Sequence, residues 1–375
     1  DSTMFSNNVV TLLLQLRLQQ GVHRLSEITI CFQTNAYVVV YYRLTMQERV
    51  ESWTPHLLGF LLPIITVLGI LKGGYWSISG IAYAIGLCPI IDAISPKAAP
   101  TRSQNSDRPW NTILYLHTLA YLSCIGILLW HTTQEGFTIS VILGGLSVGV
   151  VGGISGIINA HEAGHRKKGS LLWRMSRLNL LLVMYLHFTT EHNHGHHRNY
   201  ATEKDPASAP EGRSFYTQLL MTIPLQFISA WKTHSAKGAK IYQNTVFHGF
   251  IIQLALLASL WVLNPNIMYA FLVQAGLAIV LLEYVNYIEH YGLVREVGEK
   301  HTQMHSWEYR GVWSRWTLLE LPLHPAHHLK ASSPLWELRA QENAPQLPFG
   351  YYTMFWIALI PPLWKGLMKK QIRNL

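Results

Sequence analysis

Residues 191–197 read Glu-His-Asn-His-Gly-His-His, with four histidines within six positions. Packing does not call for that density, whereas imidazole is a good ligand for transition metals. If the segment is helical, residues three and four apart share a face. His192 and His196 then aim one way, and His197 sits about 100° round the helix, within reach of a neighbouring metal. Two other clusters have ligand spacing. His161-Glu162-Ala163-Gly164-His165 places histidines at i and i+4, and His324-Pro325-Ala326-His327-His328 at i, i+3 and i+4, with Pro325 favouring a helix start. His290 stands alone in Asn286-Tyr287-Ile288-Glu289-His290-Tyr291-Gly292. With His194 set aside, nine of the 19 histidines are candidate ligands. A mononuclear site takes three or four, so nine point to two metals in one cavity.

The elements that must position these residues are apolar. Of 375 residues only 13% are charged and 49% are hydrophobic, and mean hydropathy is +0.16. Six runs approach the length of about 20 residues that spans a bilayer. They lie near 56–71, 75–94, 113–130, 137–159, 246–263 and 269–287. A formal net charge of +9 fits nucleic acid or a membrane surface; the apolar runs favour the membrane and argue against a nucleic-acid partner. Backbone groups inside lipid must be paired internally, so the expected fold is an all-α membrane protein, a six-helix bundle. Basic residues cluster outside the three short turns, which places both termini on the cytoplasmic side. All four histidine segments then fall at one cytoplasmic mouth. Residues 171–197 are expected to form one buried helix, and 349–368, interrupted by Pro361-Pro362, an interfacial segment. Residues 1–45 are expected to be an N-terminal extension, non-native or disordered, before a chain start at Met46 and a membrane-embedded domain over 46–375. Cys31, Cys88 and Cys124 are far apart and form no CxxC pair, which argues against a disulfide framework, a zinc ribbon or an iron–sulfur domain.

Taken together, His161-Glu162-Ala163-Gly164-His165, Glu191-His192-Asn193-His194-Gly195-His196-His197, Ala201-Thr202-Glu203-Lys204-Asp205-Pro206-Ala207-Ser208 and Asn286-Tyr287-Ile288-Glu289-His290-Tyr291-Gly292-Leu293 resemble the integral-membrane alkane 1-monooxygenases. HExxH alone is weak; the long histidine motif with the Asn286 segment at this spacing is strong. Pro89-Ile90-Ile91-Asp92 at the end of the second run also matches. The resemblance implies a non-haem centre of two iron ions with O2 as co-substrate. It carries the ligand roles onto His161, His165, His192, His196, His197, His290, His324, His327 and His328. It further implies O2-dependent terminal hydroxylation of medium- to long-chain alkanes in a bacterial inner membrane, with electrons from rubredoxin and a rubredoxin reductase. One departure stands out. Relatives read close to Leu-Gln-Arg-His-Ser-Asp-His-His in the third cluster, where this chain has Leu-Pro-Leu-His-Pro-Ala-His-His. Histidine spacing survives there, while the polar neighbours do not.

Neutral imidazoles leave the charge of a metal pair uncompensated, so Glu162, Glu191, Asp205 and Glu289 are expected to orient imidazole N–H groups. His305 is a further candidate for such a supporting role. Rival readings share these residues. An intramembrane metalloprotease uses HExxH with Glu162 as base but needs few other histidines. A metal transporter places ligands along a path near mid-membrane. A fatty-acid desaturase or hydroxylase, or an aromatic-methyl (xylene-type) monooxygenase, uses similar histidine boxes. Relatives often carry a bulky aromatic where this chain has Ala84, so Ala84 is expected to line a substrate channel opening from the bilayer lipids.

Overall fold

The computed structural model describes residues 48–101, 106–236, 238 and 240–375; the expected extension over 1–45 lies outside them. Six helices are long and apolar enough to cross a membrane: α1 (Thr54–Lys72), α2 (Gly74–Ile94), α3 (Arg108–Glu135), α4 (Ile139–Gly164), α8 (Thr245–Leu263) and α9 (Pro265–His290). They match the six apolar runs, each extended at one or both ends. Between α4 and α8 lie α5 (Leu171–Leu182), α6 (188–199) and α7 (Phe215–Ser235). After α9 come α10 (Val312–Thr317), α11 (His324–Leu329), α12 (Tyr351–Ala358) and α13 (Pro361–Arg373). The strands described are β1 (Glu48–Val50) and β2 (Ala99–Thr101), a short parallel pair joining the approach to α1 with the loop after α2.

Helix α4 is the centre of the bundle. Its apolar window is 83% buried, against 22% for α8. Glycines make this possible, because small residues let backbones approach without a hydrophobic driving force between helices in lipid. A Cβ on Gly149 would lie 2.8 Å from the Gln274 carbonyl oxygen and 2.8 Å from Leu277 Cβ, both on α9. A Cβ on Gly156 would lie 3.0 Å from the Tyr121 ring of α3. So α4 is wedged tightly against its neighbours, and the histidines in its last turn inherit a fixed position.

Three stretches wind as π-helix: Ala82–Leu87 in α2, Gly152–Ile158 in α4 and His192–His196 in α6. Such turns are rare and gather at functional sites. Here all three contribute residues to one cavity.

The single helix expected over 171–197 is two helices. Ser170 caps α5 by accepting the Trp173 N–H. The chain then turns through Met184 at φ 59° before α6. Side chains satisfy that buried turn. Arg177 donates to the Leu186 carbonyl at 2.6 Å, and Gln253 accepts the Leu186 N–H at 2.7 Å. The terminal segment is likewise split, into α12 and α13 at Pro361-Pro362. On α13, Trp364 and Met368 are fully buried while Lys365, Lys369 and Lys370 face out.

Replacing Gly149 by leucine should lower the thermal unfolding midpoint in detergent, since overpacking typically costs about 1–3 kcal/mol. Gly126→Leu, on an open face of α3, should leave the midpoint unchanged.

Candidate metal centre

The nine singled-out histidines converge. Among the described residues, His161, His165, His192, His197 and His327 offer donor atoms all within 4.8 Å of one another. His196, His290, His324 and His328 do the same as a second group. Helical phase explains the partition. His161 and His165 lie one α-turn apart at the end of α4, and His324 and His328 one α-turn apart in α11, so each pair shares a group. The expectation that His192 and His196 share a face does not hold. The π-turn advances the chain by five: the His197 N–H bonds to the His192 carbonyl, and the two Nε2 atoms lie 2.9 Å apart. His196 is thereby turned into the second group. Gly195 permits this crowding, since a Cβ there would come within 2.6 Å of both Glu191 carboxylate oxygens.

Donor chemistry fits metal ions. His161 Nε2, His165 Nε2 and His290 Nε2 are buried without hydrogen-bond partners, an arrangement that costs free energy unless something else fills the site. His327 Nε2 stands 3.1 Å from His197 Nε2, and His328 Nε2 stands 2.8 Å from His324 Nε2. Burial, and then repulsion from neighbouring imidazoles, holds His192, His197, His324, His327 and His328 well below the ordinary histidine pKa. Burial likewise lowers His165 to about 4. At neutral pH these rings present lone pairs rather than protons, the state a metal requires.

The acidic residues divide. Asp205 Oδ2 accepts from His196 Nδ1 at 2.9 Å, which leaves Nε2 for the metal side. Ser208 donates to the same carboxylate at 2.7 Å and the Ala207 N–H at 3.2 Å. Burial pushes the Asp205 pKa up, but His196 and the Ser208 hydroxyl outweigh it and hold the carboxyl below its usual value. Glu289 Oε1 accepts the Tyr351 hydroxyl at 2.8 Å, and its Oε2 lies 3.1 Å from His324 Nε2. That is the nitrogen facing His328, so Glu289 looks into the second group rather than supporting a ring from behind. Glu162 is engaged elsewhere, by Arg166 at 2.5 Å and the Leu335 N–H at 3.3 Å. An ion-paired Glu162 is poorly placed to act as a protease base. Glu191 is buried; burial raises its pKa to about 7, and the Ser229 hydroxyl moderates that rise.

The supporting role expected of His305 is filled by its main chain, and a further support, Tyr200, was not legible in the sequence. His305 contributes through its carbonyl, which accepts from His290 Nδ1 at 3.2 Å. Tyr200, fully buried, lays its ring 3.9 Å from that of His328 and is covered by Arg295. His194 is exposed and stands outside both groups.

An apolar cavity leads to the cluster. Ala84 and Ile85 of α2, Val150, Ile154 and Ile157 of α4, Leu281 and Val285 of α9 and Phe355 of α12 line it, and it ends on His161, His192, His324 and Glu289. Ala84 is buried in this wall. Gly80 has a different job: a Cβ there would collide with Thr66 and Ser147. A separate, more open basin reaches His197, bordered by Arg198, Lys204, Lys232 and Arg295 together with Glu203 and Glu299.

Fold and site together define a class, a multi-pass membrane protein whose histidine clusters are arranged to hold metal at one end of the bundle. Comparisons with known proteins agree. The fatty acid desaturase family model matches residues 137–358. The chain is 33% identical to alkane 1-monooxygenase 1 of Pseudomonas aeruginosa, over 80% of this chain and 84% of that protein. It is 32% identical to alkane 1-monooxygenase 1 of Alcanivorax borkumensis, over 87% and 86%. Similarity extends at 27% identity to the xylene/toluene monooxygenase hydroxylase component of Pseudomonas putida, over 83% and 87%. The chain belongs to the alkane 1-monooxygenase family, and it is an oxidoreductase.

Asp205→Ala removes the partner that fixes His196. Loss of such outer contacts typically weakens metal binding by roughly 10–100-fold, and metal titration of the purified protein should read that drop.

Proposed function

We propose that the protein hydroxylates the terminal methyl group of medium- to long-chain alkanes at a centre of two iron ions held by the nine histidines. The observation that carries this reading is the apolar cavity that ends on His161, His192 and His324. An unactivated C–H bond offers neither a leaving group nor an acidic proton, so the chemistry must come from a metal. Bound iron would supply the means to reduce O2 with electrons from outside, in the balance RH + O2 + 2 e⁻ + 2 H⁺ → ROH + H2O.

The chain's own residues do the rest. Ile154, Ile157, Leu281 and Phe355 offer no polar contact, so they select a substrate by shape and hold water away. Asp205 and the His305 carbonyl fix the rings of His196 and His290. The polar atoms at the closed end, Asn286 and Glu289, are where a new hydroxyl first meets a hydrogen-bonding partner. The basin beside His197 suits a small acidic electron donor such as rubredoxin, reduced in turn by its reductase. Among the basic residues next to the histidine clusters, Arg198 lines this basin, whereas Arg166 is tied to Glu162. Lys167 and Lys168 are exposed in the loop after α4. Basic residues at the histidine end support a reading in which that end, with both termini, lies on the cytoplasmic side of a bacterial inner membrane.

Iron-loaded protein given a medium-chain alkane, O2, rubredoxin and its reductase should yield the 1-alkanol. A product formed only from xylene-type substrates would favour the aromatic-methyl reading, and an alkene product a desaturase. Ala84→Trp should abolish turnover of long alkanes and spare short ones. Each methylene excluded removes about 0.8 kcal/mol of burial, so activity plotted against chain length should show a sharp edge. An even loss across all lengths would remove Ala84 from the channel.

The basin makes a separate expectation. Turnover at limiting rubredoxin should fall as ionic strength rises, because exposed charges are screened beyond about 10 Å at 0.1 M salt. A rate independent of salt would contradict docking by charge.

A further inference from the structure

The third histidine cluster has lost its polar sequence neighbours, with Leu323, Pro325 and Ala326 around His324. Its approach is instead fixed by buried charge brought from the other end of the chain. Arg315, on α10, donates through Nη2 to Glu51 Oε2 at 2.5 Å and through Nη1 to the Ala98 carbonyl at 3.3 Å. Its Nε stands 3.6 Å from Glu320 Oε2. The other oxygen of Glu320 meets His56 Nε2, on α1, at 2.8 Å. Trp316 Nε1 also donates to Glu51, at 3.2 Å. Glu51, His56, Arg315 and Glu320 are all at most 6% exposed.

What this network holds is a turn that would not form unaided. Leu319 and Glu320 are consecutive non-glycine residues in the left-handed region, at φ 52° and 61°, a conformation that persists only where surroundings over-determine it. The Glu320 N–H bonds to the Arg315 carbonyl at 2.8 Å, and the Glu320 carbonyl accepts the Leu323 N–H at 2.9 Å. Arg315 therefore holds Glu320 by a main-chain hydrogen bond and faces its carboxylate as a longer ion pair at 3.6 Å, four residues ahead of His324. Removing one partner of a buried ion pair leaves the other charge uncompensated, so the turn cannot simply ignore the loss.

We propose that Arg315 is a positioning residue of the metal centre, acting through Glu320 to set where His324 and His328 stand. The effect is selective. The third cluster supplies two of the four donors in the group with His196 and His290, but one of the five in the group with His161. Displacing it weakens the four-histidine group first. The inference rests on the metal-binding reading above.

The test compares full-length wild type, Arg315→Met, Arg315→Lys and Glu51→Gln, purified in detergent and loaded with ferrous iron. Iron per chain, the Mössbauer spectrum and the thermal unfolding midpoint are measured. Two iron environments are expected in wild type. Arg315→Met should weaken iron binding in one environment by roughly tenfold or more, the scale of other supporting contacts, with the second environment retained. Arg315→Lys should restore part of the loss. Glu51→Gln, which leaves the Arg315–Glu320 pair in place, should perturb the same environment more mildly, and it carries the test if Arg315→Met does not fold. Folded variants in which both environments are unchanged, or are lost in step, overturn the inference alone. Wild type that binds no iron overturns the metal reading and this inference with it.

Discussion

Helical phase governs this molecule. A histidine becomes a ligand only if its ring points at the site, and direction is set by the kind of helix that carries it. At the end of α4 and in α11 an α-turn aligns pairs four residues apart. In the segment with four histidines that spacing would send His192 and His196 together and leave His197 off axis. A single π-turn changes the assignment, aligning His192 with His197 and releasing His196 to the other group. Gly195 is the residue that makes the turn sterically open, because it lies against the Glu191 carboxylate.

That arrangement requires rigid backing. Imidazoles crowded this closely are stable only while neutral, and burial keeps them so. Neutral donors do not offset metal charge, which gives the surrounding carboxylates their importance. Asp205 supports His196 through Nδ1, while Glu289 faces the second group directly. Glu162 and Glu191 serve differently: the first ties Arg166 and the backbone at Leu335 to the α4 histidines, and the second packs against the π-turn. The glycine-mediated wedge of α4 against α9 then fixes His161 and His165 relative to His290.

Much of this was legible in the chain. Length and hydrophobicity of the six runs pick out the six helices that are long and apolar enough to cross a membrane, with ends that differ by up to five residues, because a bilayer imposes a length few other environments do. Histidine spacing named the nine residues that converge, and Asp205 emerged as a partner from its place in the Ala201–Ser208 motif. The partition into groups of five and four was not legible, since nothing in His-Asn-His-Gly-His announces a π-turn except the glycine. The break at Met184 was hidden because its backbone is satisfied by Arg177 and Gln253, the latter far along the chain. His305 acts through a carbonyl, which no side-chain pattern reveals. The third cluster looked unsupported in sequence because its support, Arg315 and Glu320, is paired with Glu51 just ahead of α1 and His56 in its first turn.

The central claim is that nine histidines form two neighbouring metal sites of unequal ligand number. Anomalous diffraction at the iron edge from crystals of the iron-loaded protein tests it most directly. Two peaks are predicted, one enclosed by His161, His165, His192, His197 and His327, the other by His196, His290, His324 and His328. A single peak, or iron bound away from either group, would contradict the account.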